Sequence, residues 1–184
     1  MSDIKPFRQY DEHDVINLFT YADGTTSVDA GKLVKISTGW TTELDPVDLS
    51  GNASGSGLSL DGKALSTQWS VSAKVTASGA TETPIGMTLV AMAETDENGE
   101  KLLYNPRKAA EMGVVIPGQA IPLATRGLFL YKSTDGTWSG VTAGTTLYAG
   151  ASGEITTTSS GNVAVGVALG ADDANGYALI KLDL

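Results

Sequence analysis

The sequence predicts an all-β protein: a small β-barrel or β-sandwich of short antiparallel strands with one short helix and an extended N-terminal arm. Three observations predict this class. The 184 residues include 22 glycines, which disfavour helices. Turn signals recur about every 8 to 12 residues, the spacing of sandwiches and barrels. Several segments alternate apolar and polar residues with a period of two, as half-buried strands do.

The length and the apolar content of 41% suit one domain that carries an arm. We expect the arm and the first strand over residues 1–24, and a single β-domain over residues 25–184. Within that domain we expect a long loop near 45–63, a hairpin with a short helix over 86–113, and a set of C-terminal strands over 127–184.

The N-terminal half contains three predicted strands. Pro6 and the run of charges after it favour an extended arm. VINLFTY at 15–21 and KLVKI at 32–36 are rich in β-branched and apolar residues, which favours strands. At 68–76 the residues at every second position are apolar, which predicts a half-buried strand. They are Trp69, Val71, Ala73 and Val75.

The middle of the chain holds the one good helix signal. An apolar run at 85–93 and the segment EKLLY at 100–104 flank Asn98-Gly99, which predicts a hairpin. Asn105-Pro106 then predicts a helix start, and Gly113 predicts its end.

The C-terminal part predicts a series of short strands. Two prolines in 114–123 favour an edge or a loop. GLFLYK at 127–132 and Thr137-Trp138 flank Asp135-Gly136, which predicts a second hairpin. Further strands are predicted over 145–149, 153–158, 162–169 and 177–184. In 162–169 valines alternate with small residues, so we expect a central strand that is buried on both faces and approached closely by a neighbour.

Charge and composition exclude several functions. The net charge is −9 and the pI is about 4.4, which does not suit a nucleic-acid backbone or an anionic membrane. There are no cysteines, which excludes disulfides and thiolate metal sites. The polar N-terminus does not resemble a signal peptide, and no apolar run reaches about 18 residues. We therefore expect synthesis in the cytoplasm.

Candidate chemical sites are few. His13 is the only histidine, and on a charged arm it favours a solvent position over a catalytic role. Glu94, Asp96 and Asn98 resemble the first half of a calcium loop, but Asn105 stands where the closing glutamate is needed. A second acidic turn holds Asp172 and Asp173. We predict that the protein is not an enzyme and has no catalytic residue, cofactor or metal site.

The tryptophans leave one alternative open. Trp40, Trp69 and Trp138 are compatible with a sugar-stacking platform, as in carbohydrate-binding or fibre-like attachment modules. Packing in a β-sandwich explains Trp69 more simply, since its neighbours at period two are apolar. Trp40 and Trp138 stand beside polar turns, so both interpretations remain open for them.

The C-terminal third resembles the capsid decoration, or cement, proteins of tailed bacteriophages. The residues that carry the resemblance are TAGTTLYAGASGEITTTSSGNVAVGVALGADDANGYALIKLDL at 142–184 and GQAIPLATRGLFLY at 118–131. The arm phrase RQYDEHDVINLFTY at 8–21 is loosely similar to the N-termini of some phage head proteins. The resemblance covers residues 113–184 well, and 41–112 not at all.

The resemblance implies a structural virion protein that binds the outer surface of the assembled capsid and bridges subunits of the major capsid protein. It implies a homotrimer, or alternatively a dimer, on the capsid surface of the virion. From the net charge we expect neither nucleic acid nor membrane as a partner. A tail or adaptor protein is a close alternative. We expect partner contacts at Phe7, Arg8, Tyr10, Phe19 and Trp40, because exposed aromatic side chains and arginine favour interfaces.

Overall fold

A computed structural model describes residues 3–6, 14–22, 27–39, 73–133, 138 and 141–184. Most of the predicted arm, the loop near 45–63 and the first part of the alternating segment 68–76 lie outside these residues. The described residues form fifteen strands, numbered along the chain, in three sheets that we name A, B and C. The all-β prediction is confirmed.

Sheet A is antiparallel throughout and is built mostly from the C-terminal strands. In spatial order its strands are β1 (Asp3–Pro6), β11 (Arg126–Lys132), β15 (Ala178–Asp183), β14 (Ala164–Ala168), β12 (Thr146–Ala149) and β13 (Ile155–Thr156). The first strand of the chain thus pairs with a strand more than 120 residues later, with Pro6 opposite Phe129.

Sheets B and C contain the remaining strands. In spatial order sheet B holds β2 (Val15–Ile16), β10 (Leu123–Ala124), β7 (Gly86–Thr88), β5 (Leu33–Thr38), β6 (Lys74–Ala77) and β3 (Thr20–Tyr21). Sheet C holds β4 (Ser27–Val28), β8 (Ala91–Ala93) and β9 (Val114–Val115). The pairs β3–β6 and β8–β9 are parallel.

Sheet B curls into a half-barrel, and this splits the strand predicted at 15–21. Strands β2 and β3 lie at opposite edges of the sheet, although only residues 17–19 separate them. In a flat sheet these edges would be about 24 Å apart. The chain from Ile16 to Thr20 spans about 14 Å at most. The edges must therefore approach each other, and the carbonyl of Phe19 accepts a hydrogen bond of 2.8 Å from the Ile121 N–H.

Sheet B is buried on both faces. Leu33 of β5 belongs to a first core, which it shares with side chains of sheet A such as Phe129 and Tyr131. Its neighbour Val34 belongs to a second core inside the curl, together with Val75. Successive side chains of a strand point to opposite faces, so one strand serves both cores.

The apolar run at 85–93 also divides between two sheets. Its first part forms β7 of sheet B and its second part forms β8 of sheet C. Between them the Leu89 N–H donates to the Pro122 carbonyl at 3.0 Å, where the chain passes from one sheet to the next. The chain bends at residues 89–90, so this one apolar run forms two short strands in different sheets.

The short helix α1 (Pro106–Met112) forms as the sequence predicts. The Asn105 side chain accepts a hydrogen bond of 3.3 Å from the Lys108 N–H, and Gly113 ends the helix with φ 64°. The hairpin prediction before it is half right. Thr95 and Lys101 bridge across the turn, but Leu102–Tyr104 is a 3₁₀ turn and not a strand. Leu102 turns inward there and is 1% exposed.

Strand β14 is central in sheet A, as predicted, but it is not buried on both faces. Val165 is 1% exposed and Val167 is 36% exposed. The register between β12 and β14 shifts beside Val165, which is a β-bulge. After the bulge the side chains alternate in the opposite sense, so Val167 faces outward although Val165 faces the core. The predicted close approach is found at Gly166, where an added Cβ would lie 2.2 Å from the Lys181 carbonyl oxygen.

The second hairpin was predicted to pair GLFLYK at 127–132 with Thr137-Trp138, but β11 pairs with other strands. Its neighbours in sheet A are β1 and β15, with Leu128 opposite Lys181. Residues 134–137, which include the predicted turn, lie outside the described residues. Among the helices of the described residues, none has the length and apolarity that crossing a membrane requires.

Candidate interaction surfaces

A buried polar cluster ties sheet A to sheet B. Glu154, which is 5% exposed, forms an ion pair with Lys32 at the start of β5. Its other carboxylate oxygen accepts a hydrogen bond of 2.9 Å from the Tyr131 hydroxyl of β11. That hydroxyl in turn accepts the Ile155 N–H at 3.2 Å. The members of this cluster, which we name the inter-sheet clasp, bind one another, so its role is structural.

A glycine turn places Glu154 in the clasp. Gly153 has φ 77°, and its N–H donates to the Ser78 carbonyl at 2.8 Å. A Cβ on this residue would lie 2.6 Å from the Leu33 carbonyl oxygen. Only glycine lets the turn lie directly against sheet B. No local signal in the sequence marks this turn, because its partners lie far away along the chain.

The outward side of sheet A carries an apolar surface, which we name the A face. In β11 and β15 the residues facing the core are fully buried, and those between them face outward. Pairing places these outward residues in two rows across the sheet. The rows are Val167–Lys181–Leu128 and Leu169–Leu179–Leu130. Val167 is 36% exposed and Leu169 is 43% exposed, so apolar area remains on the surface.

Charged side chains border the A face. On β11 and β15 the outward charged residues are Arg126, Lys132, Lys181 and Asp183. Lys181 and Asp183 approach each other at 3.7 Å, and Lys132 lies 5.6 Å from the centroid of the Tyr177 ring. Arg126 lies 3.6 Å from a carboxylate oxygen of Asp14, so most of the basic charge at this edge is already paired with acidic side chains.

A second surface lies on residues 94–113, which we name the Tyr104 segment. Tyr104 is 81% exposed, and the Arg107 side chain is 90% exposed. The segment is anchored from below by Leu102, which packs with Ala109 in a small third core. Its backbone is fixed by the 3₁₀ turn and the capped helix, so Tyr104 is presented on a rigid base.

The Tyr104 segment is acidic. It carries five acidic side chains, Glu94, Asp96, Glu97, Glu100 and Glu111, against three basic ones, Lys101, Arg107 and Lys108. Three ion pairs cross it, and the shortest joins Lys108 to Glu97 at 2.7 Å. The hydrogen bond from Lys108 lowers the pKa of Glu97, which keeps that carboxylate charged.

The two acidic turns form local hydrogen bonds. The Asp96 carboxylate accepts the N–H groups of Asn98 and Glu100, each at 2.9 Å, which is the geometry of a hairpin turn. Within the described chain no group of three or more potential metal-ligating side chains is found. Asp173 likewise accepts the N–H groups of Asn175 and Tyr177.

Asp173 gives a prediction for acid pH. Backbone hydrogen bonds, that from Tyr177 foremost, lower the pKa of its carboxyl below the ordinary value of 3.8. The bonds stabilise the turn above that ordinary pKa, and this stabilisation is lost as the pH falls through the lowered value. An NMR titration should show the Asn175 and Tyr177 amide signals moving together with a midpoint below 3.8. In Asp173→Asn that transition should disappear; a midpoint above 3.8 in the parent protein would contradict the assignment.

The predicted contact residues fall mostly outside the described chain. Phe7, Arg8, Tyr10 and Trp40 lie there, so their roles stay predictions; the same holds for His13 and Trp69. Phe19 is 7% exposed and packs in the second core. Its ring is thus held within this chain, and its predicted contact with a partner stays a prediction.

Trp138 packs in the first core and does not form a platform. It is 4% exposed, and its ring lies 5.4 Å from that of Tyr131 at an angle of 59°. A sugar-stacking residue must offer one ring face to solvent, so the platform interpretation is wrong for Trp138.

Comparison with known proteins gives one match. The sequence model of the phage cement protein family matches residues 108–184. No curated protein and no solved structure matches the chain. The matched residues include five of the six strands of sheet A and therefore the A face. This match confirms the resemblance to phage cement proteins that the C-terminal motifs showed.

Proposed function

We propose that the protein stabilises a phage capsid by binding the outer surface of the assembled shell and bridging subunits of the major capsid protein. The match of residues 108–184 to phage cement proteins carries the proposal. These residues supply almost all of sheet A, and the clasp holds that sheet against sheet B. A rigid two-sheet body is suited to carrying load between neighbouring subunits.

The mechanism is adhesion. A protein that binds only the assembled shell stabilises that shell by mass action, and the effect grows with its free concentration. Repeated weak contacts on a lattice add through multivalency. The protein is then located on the capsid surface of the virion after synthesis in the host cytoplasm. It acts as a homotrimer, or alternatively as a dimer, and catalyses no reaction.

Co-sedimentation with empty, expanded heads of the matching phage tests the function. We expect saturable binding at a fixed ratio to the major capsid protein, and a higher melting temperature of the heads. Unexpanded heads are the matched control for recognition of the mature lattice. Absence of binding to expanded heads would overturn the proposal. Rings or tubes formed without heads would point instead to the tail or adaptor alternative.

A further inference from the structure

We propose that Asn98 and Asn175 are the sites at which this protein deamidates, and that the side chains of Asp96 and Asp173 keep the rate of that reaction low. Of the six asparagines in the sequence, these two are the ones that precede a glycine. Both are exposed in the described chain. The inference does not depend on the proposed function.

Deamidation is an attack by the backbone on a side chain. At Asn98 the backbone nitrogen of Gly99 loses its proton and forms a bond to the Asn98 Cγ. The bond from Cγ to the side-chain nitrogen then breaks, and ammonia leaves. Water opens the resulting five-membered succinimide, which leaves an aspartate or an isoaspartate at position 98. Glycine permits this attack most readily, because it has no Cβ to hinder it.

The two sites lie in the same kind of turn. Each has the sequence Asp-x-Asn-Gly, at 96–99 and at 173–176. In each turn the asparagine N–H donates to the aspartate carboxylate, at 2.9 Å in the first and 2.8 Å in the second. The residue after the glycine donates to the same carboxylate oxygen, at 2.9 Å in both. The glycines have φ of 83° and 81°, so the two turns share one geometry.

This geometry holds the attacking nitrogen. The Gly99 N–H donates to the Asp96 carbonyl at 3.1 Å, and the Gly176 N–H donates to the Asp173 carbonyl at 2.9 Å. The proton that the reaction must remove is therefore engaged. A deprotonated nitrogen would also face a carbonyl oxygen, which disfavours its formation. The reaction has to wait until the turn opens locally.

The aspartate side chain controls how often the turn opens. In the first turn the N–H groups of Asn98 and Glu100, on either side of Gly99, both donate to the Asp96 carboxylate. Hydrogen bonds to an ionised acceptor are stronger than those between neutral groups. Without the carboxylate the turn keeps its backbone hydrogen bonds alone, so we expect it to open more often.

Packing contributes little to this protection. Apart from its chain neighbours, no atom lies within 4 Å of the Cβ that Gly99 would gain. At Gly176 the one such atom is the Lys132 Cε, at 3.8 Å, at the end of a flexible side chain. The restraint on each asparagine is therefore local to its own turn, and the two sites should respond independently.

Substitutions of the two aspartates test the inference in the full-length chain. Asp96→Ala removes the acceptor from the first turn, and Asp173→Ala removes it from the second. Each variant is the matched control for the other, because one turn stays intact in the same molecule. Asp96→Asn and Asp173→Asn keep a side-chain acceptor oxygen without the charge. Thermal melting establishes that each variant is folded during incubation in warm, mildly alkaline buffer.

Peptide mass spectrometry over time gives the deamidated fraction at each asparagine. In the folded parent we expect both sites to react far more slowly than in the same chain unfolded in urea. Asp96→Ala should react about tenfold faster at Asn98 and at the parent rate at Asn175, and Asp173→Ala should show the reverse. The two asparagine variants should stay close to the parent rate, because the hydrogen bonds are retained.

Four results would overturn the inference. Equal rates in the folded and the unfolded parent would show that the turns give no protection. Parent rates in both alanine variants would show that the carboxylates do not control the reaction. If the asparagine variants react as fast as the alanine variants, the charge protects and not the hydrogen bonds. Acceleration at both sites in either alanine variant would show that opening is global, which contradicts a restraint local to each turn.

Discussion

Gly166→Ala is expected to destabilise the protein strongly, although it adds only one methyl group. The new Cβ would lie 2.2 Å from the Lys181 carbonyl oxygen, a backbone atom of β15 that cannot turn aside. Because β15 lies between β11 and β14, its displacement weakens two ladders. We expect a loss of about 3 kcal/mol or more, and a melting temperature lower by about 6–12 °C.

Gly170→Ala is the matched control for this substitution. It lies four residues further along, and no atom lies within 4 Å of the Cβ it would gain. Its melting temperature should stay close to that of the parent, as for most surface substitutions. Equal melting temperatures for both variants in a thermal scan would contradict the close packing of β14 on β15.

The second large effect is expected at the clasp. Glu154→Gln leaves the Lys32 ammonium, whose side chain is 18% exposed, without its carboxylate. Breaking a buried ion pair from one side costs about 3 kcal/mol. Adding Lys32→Met should recover part of this lost stability, because the buried ammonium that has no carboxylate partner is then removed. Urea denaturation of the two single variants and the double variant measures the coupling.

A surface ion pair provides the comparison. Lys35 and Glu82 are 2.5 Å apart, but their side chains are 36% and 41% exposed. Solvent screens such pairs, so the same cycle of substitutions there should change stability far less. If the clasp and this surface pair show equal coupling, Glu154 does not tie the sheets together as described.

Local signals allowed parts of the fold to be predicted from the sequence. The helix was located by Asn105, Pro106 and Gly113, which act on neighbouring backbone groups. The alternation around Val75 identified a half-buried strand, and the residues of β6 that are described follow it. In the C-terminal set, β11, β12, β14 and β15 form within the apolar segments that predicted them.

Long-range packing decided the features that the sequence alone did not predict. The segment 15–21 forms two strands instead of one because sheet B curls. The side chains after Val165 change face because β14 has a bulge against β12. Lys32 and Glu154 are 122 positions apart, so no spacing rule connects them. The A face appears only when β11, β14 and β15 are placed side by side, since each strand alone shows ordinary alternation.

The pairing of β1 with β11 and of β2 with β10 has a consequence for the order of events during synthesis. A ribosome adds about 5–20 residues per second, so the chain from Val15 to Leu123 takes about 5–20 s to make. The earliest strands are complete throughout that interval, while the strands that pair with them do not yet exist. Sheets A and B therefore finish folding late in translation, and the early strands gain their partners only once these late strands have left the ribosome.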